Sequence, residues 1–167
     1  MRFVPMRDED SQFLYELRTE PTAAQWFPGN SSFTYESHLR FLEELRKDPE
    51  RVQWTLWDGE ERVGFLRADR RKILDANSLI EGAFECSAII RADKRGQGYL
   101  KLAQKVMLPQ IFEMWSDLNW NVGSIFITNT PCIRAMEALG KRLLYMKSEH
   151  EGVWAISRAE VMRWVTT

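Results

Sequence analysis

The chain has 167 residues, 44% hydrophobic and 28% charged, which suits one domain with a buried core and is too apolar for a disordered segment. Its 23 basic and 24 acidic side chains give a net charge of −1, so no basic field points to nucleic acid. Cys86 and Cys132 cannot build a disulfide framework, no CxxC or His/Cys pair suggests a metal, and no apolar run reaches the ~18 residues of a membrane span.

The first apolar residues give way to Asp8–Glu9–Asp10, which does not read as a signal peptide, so a cytoplasmic domain spanning 1–167 is expected. Residues 2–6 form a short first strand. A helix over 10–19 follows, with Phe13, Leu14 and Leu17 on one face. After Pro21 comes an aromatic loop over 25–33 that contains Trp26 and Phe27. Thr34 is an N-cap for a second helix, in which Tyr35, Leu39, Leu42 and Leu45 recur at helical spacing.

The period then changes to two. Val52, Trp54 and Leu56 alternate with Gln53, Thr55 and Trp57, Asp58–Gly59 supplies hairpin chemistry, and residues 62–67 return as the partner strand. The basic run over 67–72 reads as a solvated strand end and residues 75–82 as a loop. Residues 83–90, small and apolar, read as a buried central strand. The next helix should carry Leu102, Val106 and Ile111 on its buried stripe and should kink or end near Pro109. A strand over 122–128 and a short helix follow, with Thr130 as cap, Pro131 at its first position and Gly140 past its end. Strands over 143–148 and 152–156 form a closing hairpin, and residues 158–165 add a helical turn. The expected fold class is α/β: a mixed sheet with helices on both faces.

Chemistry concentrates between Glu85 and Leu102. A buried strand runs into Arg95–Gly96–Gln97–Gly98, which opens a helix whose first N–H groups lack internal partners and carry partial positive charge. The glycines let the main chain approach a ligand closely, so the turn could cradle a diphosphate, with Arg95 adding charge; read alone, it could equally be a surface turn. It is neither a Walker A loop nor a dinucleotide fingerprint, since Lys101 stands at the third glycine position.

Arg95-x-x-Gly98 after an apolar strand resembles the acetyl-CoA-binding motif of the GCN5-related N-acetyltransferase (GNAT) superfamily, and residues 129–140 (NTPCIRAMEALG) resemble its second signature. The resemblance covers essentially the whole chain. It implies a mostly antiparallel mixed sheet of six to seven strands with about four flanking helices, and acetyl-CoA as acyl donor with no metal. It also implies residue roles. Ile89 and Ile90 would pair with the pantetheine arm, and Arg95, Gly96, Gln97, Gly98, Tyr99 and Leu100 would donate main-chain N–H groups to the diphosphate. Asn129 would touch the pantetheine, and Arg134 either reaches the phosphates or stays solvated on its helix. The chain departs from the pattern at three places. Leu100 replaces the motif's last small residue, Lys141 replaces an apolar residue, and Met136 stands where many relatives carry a proton-donating tyrosine.

Acyl transfer needs a base, a stabilised oxyanion and a proton for the thiolate. Glu85 is the candidate base, acting through water; its alternative use is as a carboxylate hydrogen-bonded across the sheet. Main-chain N–H groups near Ile90 would meet the oxyanion. A helix-start position should lower the Cys132 thiol pKa, although packing is its simpler use, and Tyr145 is a substitute acid. Residues 34–45 (TYESHLRFLEEL) resemble the second helix of a branch acting on nucleotide-linked amino sugars, which would place His38, Trp26 and Phe27 at the acceptor, with aromatic core and a half-exposed histidine as the alternative. The expected activity is transfer of acetyl from acetyl-CoA to a primary amine of a small molecule, without nucleic-acid or membrane partners. Peptide N-termini or other small amines as acceptors, a non-catalytic acyl-CoA-binding domain, and a homodimer remain open.

Overall fold

The computed structural model describes residues 1–27, 33–70 and 82–166. Seven strands form one sheet in the order β1-β2-β3-β4-β5-β7-β6: β1 (Arg2–Pro5), β2 (Arg51–Asp58), β3 (Glu61–Asp69), β4 (Ala83–Ile90), β5 (Trp120–Phe126), β6 (Arg142–Met146) and β7 (Glu151–Ser157). β1 pairs antiparallel with β2, and β7 antiparallel with both β5 and β6, whereas β4 and β5 run parallel. Six helices accompany them among the described residues: α1 (Ser11–Thr19), α2 (Pro21–Ala24), α3 (Tyr35–Lys47), α4 (Tyr99–Met114), α5 (Thr130–Glu137) and α6 (Arg158–Thr166). The chain divides into two compact units, Met1–Arg67 with Ala88–Tyr99, and Ala68–Ser87 with Leu100–Thr167.

In the first unit, Leu14 and Leu17 of α1, Leu42 and Leu45 of α3, Phe65 of β3 and Ile89 of β4 close one apolar cluster. Burial of each leucine contributes about 2 kcal/mol. Thr34 caps α3 as expected, accepting from Ser37 N at 3.1 Å. Asp10 ties the N-terminal segment to the β2–β3 hairpin: its buried carboxylate accepts from Arg7 N (3.0 Å), the Thr55 hydroxyl (2.9 Å) and Arg62 Nε (2.7 Å). In the second unit, Phe84 meets Phe112 and Trp115 edge-on, at 5.0 and 5.7 Å between ring centroids.

Several expectations need correction. α2 is an additional element, and Glu20–Pro21 carries its start: the Glu20 side chain accepts from Thr22 N, and Pro21 takes the first position. The basic run is not a solvated strand end, because β3 continues to Asp69 with Arg67 and Asp69 buried, and Arg70 pairs with Asp117 at 2.5 Å. Residues 71–72 of that run, loop residues 75–81, and residues 28–32 of the aromatic loop lie outside the described residues. α4 does not end at Pro109 but runs on to Met114. Its buried face is Ala103, Met107, Leu108, Ile111 and Phe112, while Leu102 and Val106 are exposed. That packing holds the helix through the missing proline N–H. β5 begins two residues earlier than expected, because Trp120 and Asn121 pair with Ser157 and Ile156, and the buried Asn121 donates through Nδ2 to Phe84 O at 3.3 Å. Asn129, not Thr130, caps α5, leaving Pro131 at the second position.

Gly64 of β3 sets how closely β4 approaches. A Cβ built there would lie 2.3 Å from Ile89 O and 3.2 Å from Ile90 Cα, both main-chain atoms that cannot step aside. Gly64→Ala should therefore destabilise the fold by about 3 kcal/mol in denaturant titration, and an unchanged midpoint would contradict this account of the β3–β4 spacing.

Candidate functional site

In the first unit β4 ends at Ile90, where Arg91 N donates to Val63 O at 2.9 Å, and the chain passes through a 3-10 turn at Ala92–Lys94. Gly96 and Gly98 then adopt φ of +76° and +84° before α4 begins. Each would strain an ordinary side chain by about 1–2 kcal/mol, and a Cβ at either would meet nothing within 4 Å. The amides of Gly96, Gln97 and Gly98 donate to no acceptor among the described residues. Open donors ahead of a sixteen-residue helix suit an anion.

Side chains hold this turn from behind. Arg95 donates through Nε to Ile90 O (2.9 Å), through one terminal nitrogen to Glu20 (2.7 Å), and through the other to the Thr22 hydroxyl. The Arg95 guanidinium, expected to add charge toward a ligand, is thus engaged with α2 and the end of β4. The bonds from Thr22 and Arg95 lower the Glu20 carboxyl to about 2, so the clamp persists until pH falls through that value. Gln97 Nε2 donates to Asp93 O at 3.1 Å, and the Tyr99 hydroxyl donates to Asp58. Ile89 and Ile90 are buried, Ile89 within the first unit's core.

The same unit gathers aromatic rings. His38, expected half-exposed, is only 4% exposed. Its Nε2–H donates to Ser11 O at 3.1 Å, and burial holds its pKa below the ordinary value. Tyr15, Phe33 and Tyr35 surround it, with Tyr15 stacked on Phe33 at 5.7 Å and Phe33 edge-on to His38 at 5.6 Å. The Arg18 guanidinium lies over Phe27 at 4.7 Å and Phe33 at 5.0 Å. Trp26 and Phe27 are half-buried.

In the second unit the parallel β4–β5 ladder lasts three residues, Ala83–Trp120, Phe84–Asn121 and Glu85–Val122. Cys86 and Ser87 have no β5 partner in that register. Just past the last rung, Ser124 N donates to Glu85 Oε1 at 3.4 Å, so the carboxylate bridges strands that have stopped pairing. Asn129 Oδ1 accepts from Cys132 N at 3.3 Å, Arg134 is exposed, and Leu100 packs against the cluster of Ile125, Met136, Leu139 and Trp154. That apolar contact is the use α4 makes of the bulk at Leu100. Burial raises the Cys132 thiol pKa, reversing the expected effect of its helix-start position. Tyr145 lies against the cluster of Ala83, Val122, Val153 and Ala155.

The sequence marks Lys141 only as replacing an apolar residue, but it is buried, and desolvation lowers its ammonium to about 8. The signal was its place directly after Gly140, where a helix stop turns the next side chain inward. An unfolded lysine titrates at 10.5, so the folded state binds fewer protons from about 8 to 10.5, and stability rises with pH across that window. Below it the buried cation costs about 3 kcal/mol. Lys141→Met should raise the unfolding midpoint at neutral pH, with the gain shrinking as pH climbs toward 10.5; no gain at neutral pH would contradict the burial argument.

Among the described residues no group of three or more His, Cys, Asp or Glu side chains could hold a metal, and no helix is long and apolar enough to cross a membrane. No curated protein matches the chain in sequence. Solved structures share its fold. Spermidine N-acetyltransferase from Vibrio cholerae, in complex with CoA and spermine, has a TM-score of 0.79 at 12% identity, covering 96% of this chain and 97% of that one. Aminoglycoside acetyltransferase AAC(6')-Ib, in complex with coenzyme A, has a TM-score of 0.79 at 13% identity over 96% of each chain. An acetyltransferase from Thermus thermophilus has a TM-score of 0.70 at 20% identity, covering 93% of this chain and 96% of that one. The acetyltransferase (GNAT) domain family matches residues 1–142; with the seven-stranded sheet and the glycine turn at the head of α4, the chain belongs to that family.

Proposed function

We propose that this chain is an N-acetyltransferase that passes the acetyl group of acetyl-CoA directly to a primary amine of a small molecule in a ternary complex. The observation that carries this reading is the turn at Gly96–Gly98, whose main-chain N–H groups have no acceptor among the described residues and whose glycines border open space, while the Arg95 side chain is tied to Ile90 and Glu20. Those amides, with Tyr99 and Leu100 at the start of α4, receive the diphosphate of the coenzyme. Ile89 and Ile90 offer main-chain groups to the pantetheine arm, Asn129 meets the same arm, and Arg134, exposed on α5, reaches the coenzyme phosphates.

In the reaction the amine nitrogen bonds to the acetyl carbon and the C–S bond breaks. Glu85 takes the amine proton through water, held in orientation by Ser124 N, and main-chain N–H groups near Ile90 receive the oxyanion. The acceptor lies toward Trp26, Phe27 and His38. The rings of Tyr15, Phe33 and Tyr35 around His38 favour an acceptor with a ring of its own, and a nucleotide-linked amino sugar fits that description. Similar folds that act on spermidine or aminoglycosides support an amine on a small molecule over a peptide N-terminus.

Calorimetry with acetyl-CoA, followed by free-CoA release on a panel of amines, tests the reading. Wild type should bind the coenzyme and release CoA with at least one amine, an amino-sugar nucleotide among those tried. Gly98→Ala, which places a methyl group on a left-handed residue inside the cradle, should weaken acetyl-CoA binding by about tenfold, or 1.4 kcal/mol. Binding without CoA release on any amine would make the chain a non-catalytic acyl-CoA-binding domain. Absence of binding would remove the coenzyme from the account.

A further inference from the structure

Acyl transfer leaves one proton without a carrier: sulfur departs from a thioester as a thiolate and needs a donor. Met136 has a thioether and no proton to give. The ammonium of Lys141, one residue past the 129–140 signature, does have one.

α5 ends in a pair of crossed main-chain bonds, Gly140 N to Glu137 O at 2.8 Å and Lys141 N to Met136 O at 3.1 Å, around the left-handed Gly140. This stop turns the residue after the glycine back onto the helix, a place suited to an apolar side chain. The stem of Lys141 meets that demand, and its ammonium is carried inward with it, leaving the residue 3% exposed. Glu85 and Cys86 of β4 and Cys132 of α5 are the titratable groups that act on it. Among the described residues its ammonium makes no ion pair and no hydrogen bond. Glu85 stands on the last rung of the β4–β5 ladder, and Cys86 is the first β4 residue beyond it. A buried, unpaired cation is costly unless something answers its charge, and this one is gathered with the residues at which the two strands stop pairing.

We propose that Lys141 donates the proton to the departing coenzyme thiolate, an assignment that rests on the acyl-transfer reading above. The amine sheds its proton to Glu85 through water as the C–N bond forms and the C–S bond breaks. The Lys141 ammonium passes a proton to sulfur, giving free thiol and a neutral lysine amine. The proton on Glu85 then returns to Lys141, and both groups end the cycle as they began. Desolvation brings the ammonium down to about 8 against the smaller opposing influence of Cys86, Cys132 and Glu85, close to the ordinary range of a thiol, so the transfer is nearly balanced.

The test titrates bound CoA by its thiolate absorbance, with the complex of desulfo-CoA subtracted to remove Cys86 and Cys132, alongside steady-state kinetics. In wild type the bound thiol should ionise at least about one pH unit below its value in Lys141→Met, since a nearby cation favours the thiolate. Lys141→Met should lose about 100-fold in kcat with little change in the acetyl-CoA KM. Lys141→Arg should keep the lowered thiol ionisation yet lose turnover, because guanidinium holds its proton; a merely structural lysine would not separate these readouts. Thermal melts check that both variants fold. Bound thiols that titrate alike in wild type and Lys141→Met overturn this inference alone, whereas failure of wild type to bind CoA overturns the acyl-transfer reading and this inference together.

Discussion

Arg95 makes its hydrogen bonds inward, to Ile90 O, Glu20 and Thr22. A guanidinium with five donors in a rigid fork can fix three separate acceptors at once. Here it fixes the end of β4 against the start of α2. With the side chain so engaged, the turn that follows keeps its shape while its amides stay open. Main-chain donors held in place meet charge without reorganising, and this makes them effective partners for a diphosphate. The left-handed glycines follow from the same constraint, since the amides could not be presented together on a backbone of ordinary φ.

The second unit shows a different compromise. Its interior is not uniformly apolar: Gln104 donates to the Met136 sulfur at 3.4 Å, Asn121 is fully buried, and Lys141 lies within a few per cent of complete burial. A core built for stability alone would hold none of these. The first unit buries polar groups too, Asp10, His38 and Thr55 among them, but there each is hydrogen-bonded; Lys141 of the second unit carries a charge inward without such a bond, which marks it as a candidate for a functional group.

Much of this was legible in the residues. The hairpin at Asp58–Gly59, the cap at Thr34, the stop at Gly140 and the glycine turn after β4 each rest on one or two residues with strong local preferences, and local preference survives folding. Features set by tertiary contacts were not legible. By local rules Pro109 should have kinked or ended α4, but the packing of Met107, Ile111 and Phe112 carried the helix past it. Leu102 and Val106 are as apolar as the residues that were buried, and only the sheet decides which face turns inward. The acid-base reading was harder still. Lys141 carries no motif; its altered protonation comes from desolvation, which depends on what the fold places around it.

The account rests on the amides of the glycine turn, and amide NMR reads them directly. In a nitrogen–proton correlation spectrum of the labelled protein, saturating acetyl-CoA should shift the resonances of Gly96, Gln97 and Gly98 more than those of the exposed α3 surface. Saturation with those three unmoved would contradict the account, whatever the affinity.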